Sequence, residues 1–317
     1  MKNINKVIQS FIMRIRKFFA YNVWYGRFPY AYVRYYYRFH RGKELNYRNP
    51  EDFNQKLFWL ARYWQDPRIV TCTDKLAVRK YIEDLGLGYI LTKLYAIYES
   101  AEQIDFNQLP SRFVIKCNHC GGGSNMILCK DKSQLSEGAA RASIAEGLQK
   151  VIGLDTCEYH YQYIKPMAFA EEFIGGNGEE RLEIQFFCLN GIARHILVRN
   201  DLGDAAKDSF AISYDINWNR VQDRKREDMS INVPRPQKLD EMINIANKLA
   251  APFPQVRVDL YLVNDKQIYF GEMTFTTSGN VLWNYTDRVV KEWGEELVLP
   301  EKLKTKWNKV YKSYAKR

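Results

Sequence analysis

The chain has 317 residues, 46% hydrophobic, 15% aromatic and 26% charged, a composition that supports two or three packed units and excludes a disordered or collagen-like chain. The net charge is +10, yet the first fifty residues hold eleven basic residues against the single acid Glu44, so the remainder is neutral overall and an anionic partner is expected only for that first stretch. No window of about eighteen apolar residues free of charge exists, which argues against a transmembrane helix.

From Lys6 to Phe19 the apolar residues Val7, Ile8, Phe11, Ile12, Ile15, Phe18 and Phe19 recur at three- and four-residue steps, the pattern of an amphipathic helix. Arg14, Arg16 and Lys17 interrupt the apolar run, so it does not read as a signal peptide. Aromatics alternate with arginines from Tyr21 to Arg41. Three accounts fit this stretch: a helix packed on the body with a solvated basic face, contact of residues 1–45 with an anionic bilayer surface, or nucleic acid. No RNP, zinc-finger or helix-turn-helix pattern accompanies it, so no nucleic acid is expected.

Asn49 and Pro50 predict the cap and first position of a helix to about Trp64, and Thr73 predicts the cap of another, with Lys75 and Arg79 one turn apart and Gly86 ending it. Strands are expected at Phe113–Lys116, Met126–Cys129 and Ala168–Ile174, with a helix over 136–152. Asn190-Gly191 predicts a tight hairpin between Leu182–Leu189 and Arg194–Arg199. After a helix at about 237–250, Asn264-Asp265-Lys266 predicts a second hairpin between Val256–Val263 and Gln267–Glu272. Strands joined by tight turns with helices between the pairs argue for an α+β fold with antiparallel sheets. The six cysteines are too scattered for a disulfide framework and read as reduced, cytoplasmic thiols.

Three segments carry chemistry. Lys116 ends a strand and is followed by Cys117-Asn118-His119-Cys120-Gly121-Gly122-Gly123-Ser124, where glycines let backbone N–H groups approach a phosphate and the lysine adds a point charge. A glycine hairpin with a solvated lysine is the plainer account, and Cys117-x-x-Cys120 lacks the second pair that a zinc site needs. Arg257 and Asp259, two apart on a strand, share a face that Glu272 on the partner strand can join. One arginine and two carboxylates beside a glycine loop suit a Mg²⁺-phosphate group, and a cross-strand salt bridge is the alternative. Ala170-Glu171-Glu172-Phe173-Ile174-Gly175-Gly176 is a strand ending in a bend, whose backbone can pair with an adenine edge.

The order of these segments resembles that of ATP-grasp enzymes. Asp74-Lys75-Leu76-Ala77-Val78-Arg79-Lys80-Tyr81-Ile82, Phe113 to His119, Phe186 to Gly191, Val256 to Tyr261 and Gly271 to Phe275 resemble more closely the TupA-like ATP-grasp proteins of polysaccharide biosynthesis, over roughly residues 49–300. The resemblance implies an ATP-grasp fold over that range, and the chain as a whole is expected to divide into five parts. These are a basic N-terminal segment 1–48, a helical region 49–90, a small lid subdomain 91–167, a large Mg²⁺-binding subdomain 168–300 and a C-terminal helix 301–317.

It further implies ATP and Mg²⁺ as cofactors, with Lys75 and Lys116 on the phosphates and Gly121, Gly122, Gly123 and Ser124 closing over them. Glu171, Glu172, Phe173 and Ile174 would hold adenine, and Glu172, Glu179 or Glu183 the ribose. Asp259 and Glu272 would ligate Mg²⁺, joined by Thr274 where the usual Glu-x-Asn carries Asn. Arg257 and Lys116 would be the catalytic cations, Arg257 stabilising an acyl phosphate and the tetrahedral species after it. His119 and Asn280 are candidates for substrate contact.

The implied reaction joins a carboxylate to an amine with ADP release, the carboxylate being a uronic acid sugar of a surface polysaccharide of capsule, O-antigen or teichuronic type. The implied location is cytoplasmic, with peripheral contact to the inner membrane. A glycosyltransferase-like role and a non-catalytic membrane-associated homologue are the other readings.

Overall fold

The computed structural model describes residues 28–303 apart from 122, 124, 176–179, 201–209 and 228–229, and of the first 27 residues only Ile12, Ile15, Phe18 and Val23. Four helices come first: α1 (Pro29–Arg41), α2 (Phe53–Tyr63), α3 (Pro67–Thr73) and α4 (Ala77–Asp84). Then follow β1 (Leu94–Tyr98), β2 (Phe113–Cys117), β3 (Ile127–Cys129), α5 (Glu137–Gln149) and β4 (Ala168–Glu171). The second half holds β5 (Arg181–Leu189), β6 (Ile192–Asn200), β7 (Ala211–Asp215), α6 (Leu239–Ala250), β8 (Gln255–Val263), β9 (Gln267–Thr274) and α7 (Asp287–Glu296).

The strands form two antiparallel sheets, a four-stranded one in the order β1-β4-β2-β3 and a five-stranded one in the order β7-β6-β5-β8-β9. Turn chemistry explains the larger sheet. Asn190 and Gly191 sit at φ 54° and 80°, and Asn264 and Asp265 at 51° and 53°, so both hairpins close where Asn, Asp and Gly tolerate positive φ. Helix α6 buries Leu239, Met242, Ile245, Ala246 and Leu249 at helical spacing and places Asp240 and Glu241 in its first turn, where acids complement the helix dipole. One apolar core joins α1 and α2 to the five-stranded sheet, and a second lies between the four-stranded sheet and α5.

Several expectations shift. Asp52 caps α2, its carboxylate accepting from Gln55 N–H at 2.9 Å, while Asn46 accepts from the N–H groups of Arg48 and Asn49 and holds Asn49-Pro50 in a turn before the helix. Thr73 ends α3 and caps nothing. Asp74 takes that role, Oδ1 accepting from Leu76 and Ala77 N–H, so Lys75 lies in the turn before α4 and not one helical turn from Arg79. Gly86, at φ 72°, follows the end of α4 as expected.

The strand begun at Ala168 stops at Glu171 and pairs with β1 and β2, so the border between the sheets falls after Glu171 and not before Ala168. Strands β1 and β7 and helices α3 and α7 join the predicted elements. The Lys6–Phe19 helix and the helix at 301–317 fall almost wholly outside the described residues.

Candidate active site

Strand β8 carries Arg257 and Asp259, and β9 carries Glu272 and Thr274. Arg257 pairs with Thr274 in register and Asp259 with Glu272, after which the register slips so that Leu260 faces Phe270. Gly271 is therefore the extra residue of a bulge, and a side chain there would meet the Asp259 carbonyl at 2.9 Å. The bulge puts Glu272 and Thr274 on the face of Arg257 and Asp259.

The guanidinium donates Nε–H and Nη2–H to the two oxygens of Asp259 at 2.7 and 2.6 Å, and Nη2–H also to Glu272 Oε1 at 3.1 Å and Thr274 Oγ1 at 3.2 Å. Burial lifts the Asp259 carboxyl while Arg257 pulls against that lift, and two charge-assisted bonds this short keep the pair ionic. Burial also pushes Glu272 up, but Lys75, Arg257 and the Thr274 hydroxyl pull it further down, to about 2. Glu183 belongs to the same neighbourhood: its Oε1 accepts from Gln185 Nε2 at 2.6 Å, and Gln185 reaches Asp259 at 3.4 Å.

Lys75 links this cluster to the glycine segment. Its Nζ donates to the Cys120 carbonyl at 2.8 Å and lies 3.4 Å from Glu272 Oε2, and its N–H donates to the Asn118 carbonyl at 3.1 Å. The Asn118 amide holds Asp74 Oδ1 at 2.9 Å, so the turn before α4 is tied to the end of β2. Lys116, one position before the end of β2, pairs at 2.5 Å with Glu171, whose other oxygen accepts from Thr92 Oγ1 at 2.7 Å. Lys75, in the turn before α4, and Lys116, on β2, thus each face a carboxylate, Glu272 and Glu171.

The remaining expected residues divide. Gly121 and Gly123 are exposed beside Lys75's partner Cys120, and Gly123 has φ 70°. Gly122, Ser124 and Glu179 lie outside the described residues. Glu171 is buried against Lys116, and Glu172 Oε2 accepts from Lys93 N–H at 3.2 Å. Arg112 stacks over Phe173, and Arg181 donates to the Ile174 carbonyl at 2.8 Å, so this segment is the strap between the sheets.

His119 is buried, and Nε2–H faces the Lys150 carbonyl at 3.2 Å. Asn280 has no exposed surface and holds the Cys157 carbonyl at 3.5 Å. Packing and not exposure therefore governs both side chains. Glu158 had no sequence signal, since it sits in an irregular segment without periodicity. Thr156 and Thr276 hydroxyls each donate to it at 2.6 Å, and burial, against those bonds, raises its carboxyl to about 7.

The donor set fits a hard cation and a polyphosphate. Asp259, Glu272 and Thr274 offer oxygen ligands, and Lys75, Lys116 and Arg257 offer the opposite charge. Among the described residues no group of three or more His, Cys, Asp or Glu forms a metal cage by itself, and Mg²⁺ commonly takes one or two carboxylates plus phosphate oxygens.

Two antiparallel sheets, Lys116 on one, an arginine-carboxylate cluster on the other and Lys75 reaching that cluster from the turn before α4, define an ATP-grasp fold. The TupA-like ATPgrasp profile matches residues 55–298, and the chain belongs to that family. Among solved structures, an L-amino acid ligase from Bacillus licheniformis is similar at 16% identity and a TM-score of 0.44, covering 70% of this chain and 46% of its own. A D-alanine–D-alanine ligase from Bacillus anthracis complexed with ATP is similar at 17% identity and a TM-score of 0.36, covering 65% and 55%. The chain thus spans about half the length of each. No protein of curated function matches the sequence.

Proposed function

We propose that the protein is an ATP-dependent carboxylate–amine ligase that works through an acyl phosphate and releases ADP. The observation that carries this reading is Lys75, whose ammonium touches both the turn after β2 and Glu272 on β9, so that phosphate-binding cations and hard oxygen ligands share one cleft. Lys75 and Lys116 bind the phosphates, while Gly121 and Gly123 let the backbone approach them. Arg257 stabilises charge on the transferring group and then on the tetrahedral species as the amine attacks. Asp259 and Glu272, with Thr274, hold Mg²⁺, which when bound neutralises and orients phosphate oxygens. Positioning and charge supply the catalysis, and no protein nucleophile is required. Glu171 to Ile174 receive the adenine, and Glu172, Glu179 or Glu183 the ribose.

Membership of the TupA-like family supports a carboxylate on a uronic acid sugar of a surface polysaccharide precursor, joined to an amino acid or another amine. Contact with the membrane fits the outer face of α1. Tyr32, Val33, Tyr36 and Tyr37 bury one side of that helix, while Arg34, Tyr35, Arg38 and Phe39 are exposed on the other, next to exposed Phe28. No helix among the described residues is long and apolar enough to cross a membrane.

Thermal unfolding with and without MgATP tests the nucleotide site. At about a hundred times its dissociation constant, a ligand adds about 2.7 kcal/mol to the native state. The midpoint should rise in the wild type and stay unchanged in Lys116→Ala, whereas a wild type indifferent to MgATP would remove the nucleotide from this cleft. Sedimentation with vesicles tests the surface: retention on anionic but not neutral lipid, lost in Arg34→Glu/Arg38→Glu, is expected. Equal retention of that variant would discard the α1 face.

A further inference from the structure

Two thiols beside the cleft have no part in the ligase reading. Cys120 N–H donates to the Cys117 carbonyl at 3.3 Å and closes a four-residue turn at the end of β2. Such a turn holds its end Cα atoms within about 7 Å, at the limit of the span a disulfide bridges. Both side chains run to the same patch of α5, Cys117 Sγ 3.9 Å from the Ile144 carbonyl and Cys120 Sγ 3.7 Å from the Gly147 carbonyl. The two thiols thus lie against carbonyls three residues, about one turn, apart on the same helix. Helix α5 is notched to receive them, because a Cβ at Gly147 would stand 2.8 Å from Cys117 Sγ.

The surroundings make the sulfurs unlike. The neighbouring Cys117 brings the Cys120 thiol down against the effect of burial, and His119, 3.9 Å away, and Lys75 add to the fall. Cys117 moves the opposite way, raised by the same neighbour and by burial. Negative charge is therefore favoured on Cys120 over Cys117, which makes Cys120 the attacking sulfur of the pair. Burial raises Cys72, Cys129 and Cys188, by contrast, and none of those three is two residues removed from another cysteine.

We infer that Cys117 and Cys120 form a thiol–disulfide exchange site for a low-molecular-weight disulfide of the glutathione class. The Cys120 thiolate attacks one sulfur of that disulfide, forming a mixed disulfide and expelling one small thiolate. The expelled thiolate takes the Cys117 proton. Cys117 sulfur then attacks Cys120 sulfur and expels the second small thiolate, which takes its proton from water. Two protein thiols are oxidised to one disulfide, and one small disulfide is reduced to two thiols. Cys120 is 5% exposed, so exchange requires its sulfur to be uncovered.

The turn also holds the cations of the cleft. Lys75 is bonded through Nζ to the Cys120 carbonyl and through N–H to the Asn118 carbonyl, and Lys116 immediately precedes Cys117. Drawing the sulfurs off their α5 carbonyls to about 2.05 Å from each other turns the Cys120 peptide and moves the carbonyl that Lys75 holds. Oxidation therefore lowers affinity for MgATP, a consequence that rests on the proposed nucleotide site, whereas the exchange itself does not.

The full chain is equilibrated in graded ratios of oxidised to reduced glutathione, quenched in acid, alkylated and read by peptide mass spectrometry. A disulfide within the peptide spanning 117–120 is expected in the wild type. Cys117→Ser should stop at a mixed disulfide on Cys120, and Cys120→Ser should form neither. Alkylation of both cysteines at the most oxidising ratio, or a lasting mixed disulfide in the wild type, overturns the site. The MgATP-dependent midpoint shift, read on the same samples, should show at least a tenfold weaker apparent affinity after oxidation and recovery with dithiothreitol. An unchanged shift in the disulfide form overturns the link through Lys75. A shift absent from both forms counts against the nucleotide reading and leaves the mass measurement to decide the exchange site.

Discussion

Replacing Arg257 with Ala should cost about 3–5 kcal/mol of stability and reduce ATP turnover by roughly 10²–10³. The guanidinium satisfies acceptors on three side chains at once, and the Asp259 side chain that it serves is 3% exposed. Its removal leaves a buried carboxylate without a counter-charge, which is more costly than the bonds themselves. Adding Asp259→Asn to the Ala variant removes that uncompensated charge and should restore a large part of the stability and none of the turnover. Urea denaturation and ADP release measure the two separately. If the single variant unfolds at the wild-type urea concentration, the buried pair is not a structural element of the sheet.

The second large effect lies at the junction of α2 and α7. Gly294, in α7, packs on the start of α2, where an added Cβ would meet Phe53 N at 2.6 Å and the Asp52 Cα and carbonyl carbon at 2.7 Å. These are backbone atoms and cannot rotate aside. The same junction holds Phe53 edge-on to Trp293 and the Leu282 N–H on Asn54 Oδ1 at 2.9 Å, so α2 and α7 must part together. Gly294→Ala should destabilise by about 3 kcal/mol, roughly 6–12 °C in Tm. Gly138→Ala in α5 is the matched control, since its Cβ meets nothing within 4 Å and it should gain a few tenths of a kcal/mol. A Gly294→Ala protein that melts with the wild type would show that the helices separate at no cost.

The site was readable in the sequence where its geometry is local. Arg257 and Asp259 are two apart on one strand and so share a face by period alone, and the Asn264-Asp265 turn brings β9 back beside them. The bulge at Gly271 was not readable, although Glu272 shares the face of Asp259 because of it. Asp74 was passed over as a helix cap in favour of Thr73, because its choice depends on Asn118, forty-four residues away. The bond between Lys116 and Glu171 belongs to the pairing of β2 with β4 and has no trace along the chain. Strand β1 was missed for a related reason: Leu94–Tyr98 lacks polar alternation, and its partner β4 begins at Ala168. His119 and Asn280 looked like polar residues near a site, and only packing shows that they face inward.

Each cation of the cleft is matched by a carboxylate of the chain: Arg257 by Asp259 and Glu272, Lys75 by Glu272, and Lys116 by Glu171. On the proposed reading, loading of a polyphosphate would be an ion exchange and not a simple neutralisation. Phosphate oxygens would displace Glu171 and Glu272 from the lysines, and the released carboxylate on β9 would be available to a divalent ion. The number of small ions taken from or returned to bulk solvent would then be small, and nucleotide affinity would vary less steeply with ionic strength than at a site lined by bare lysines.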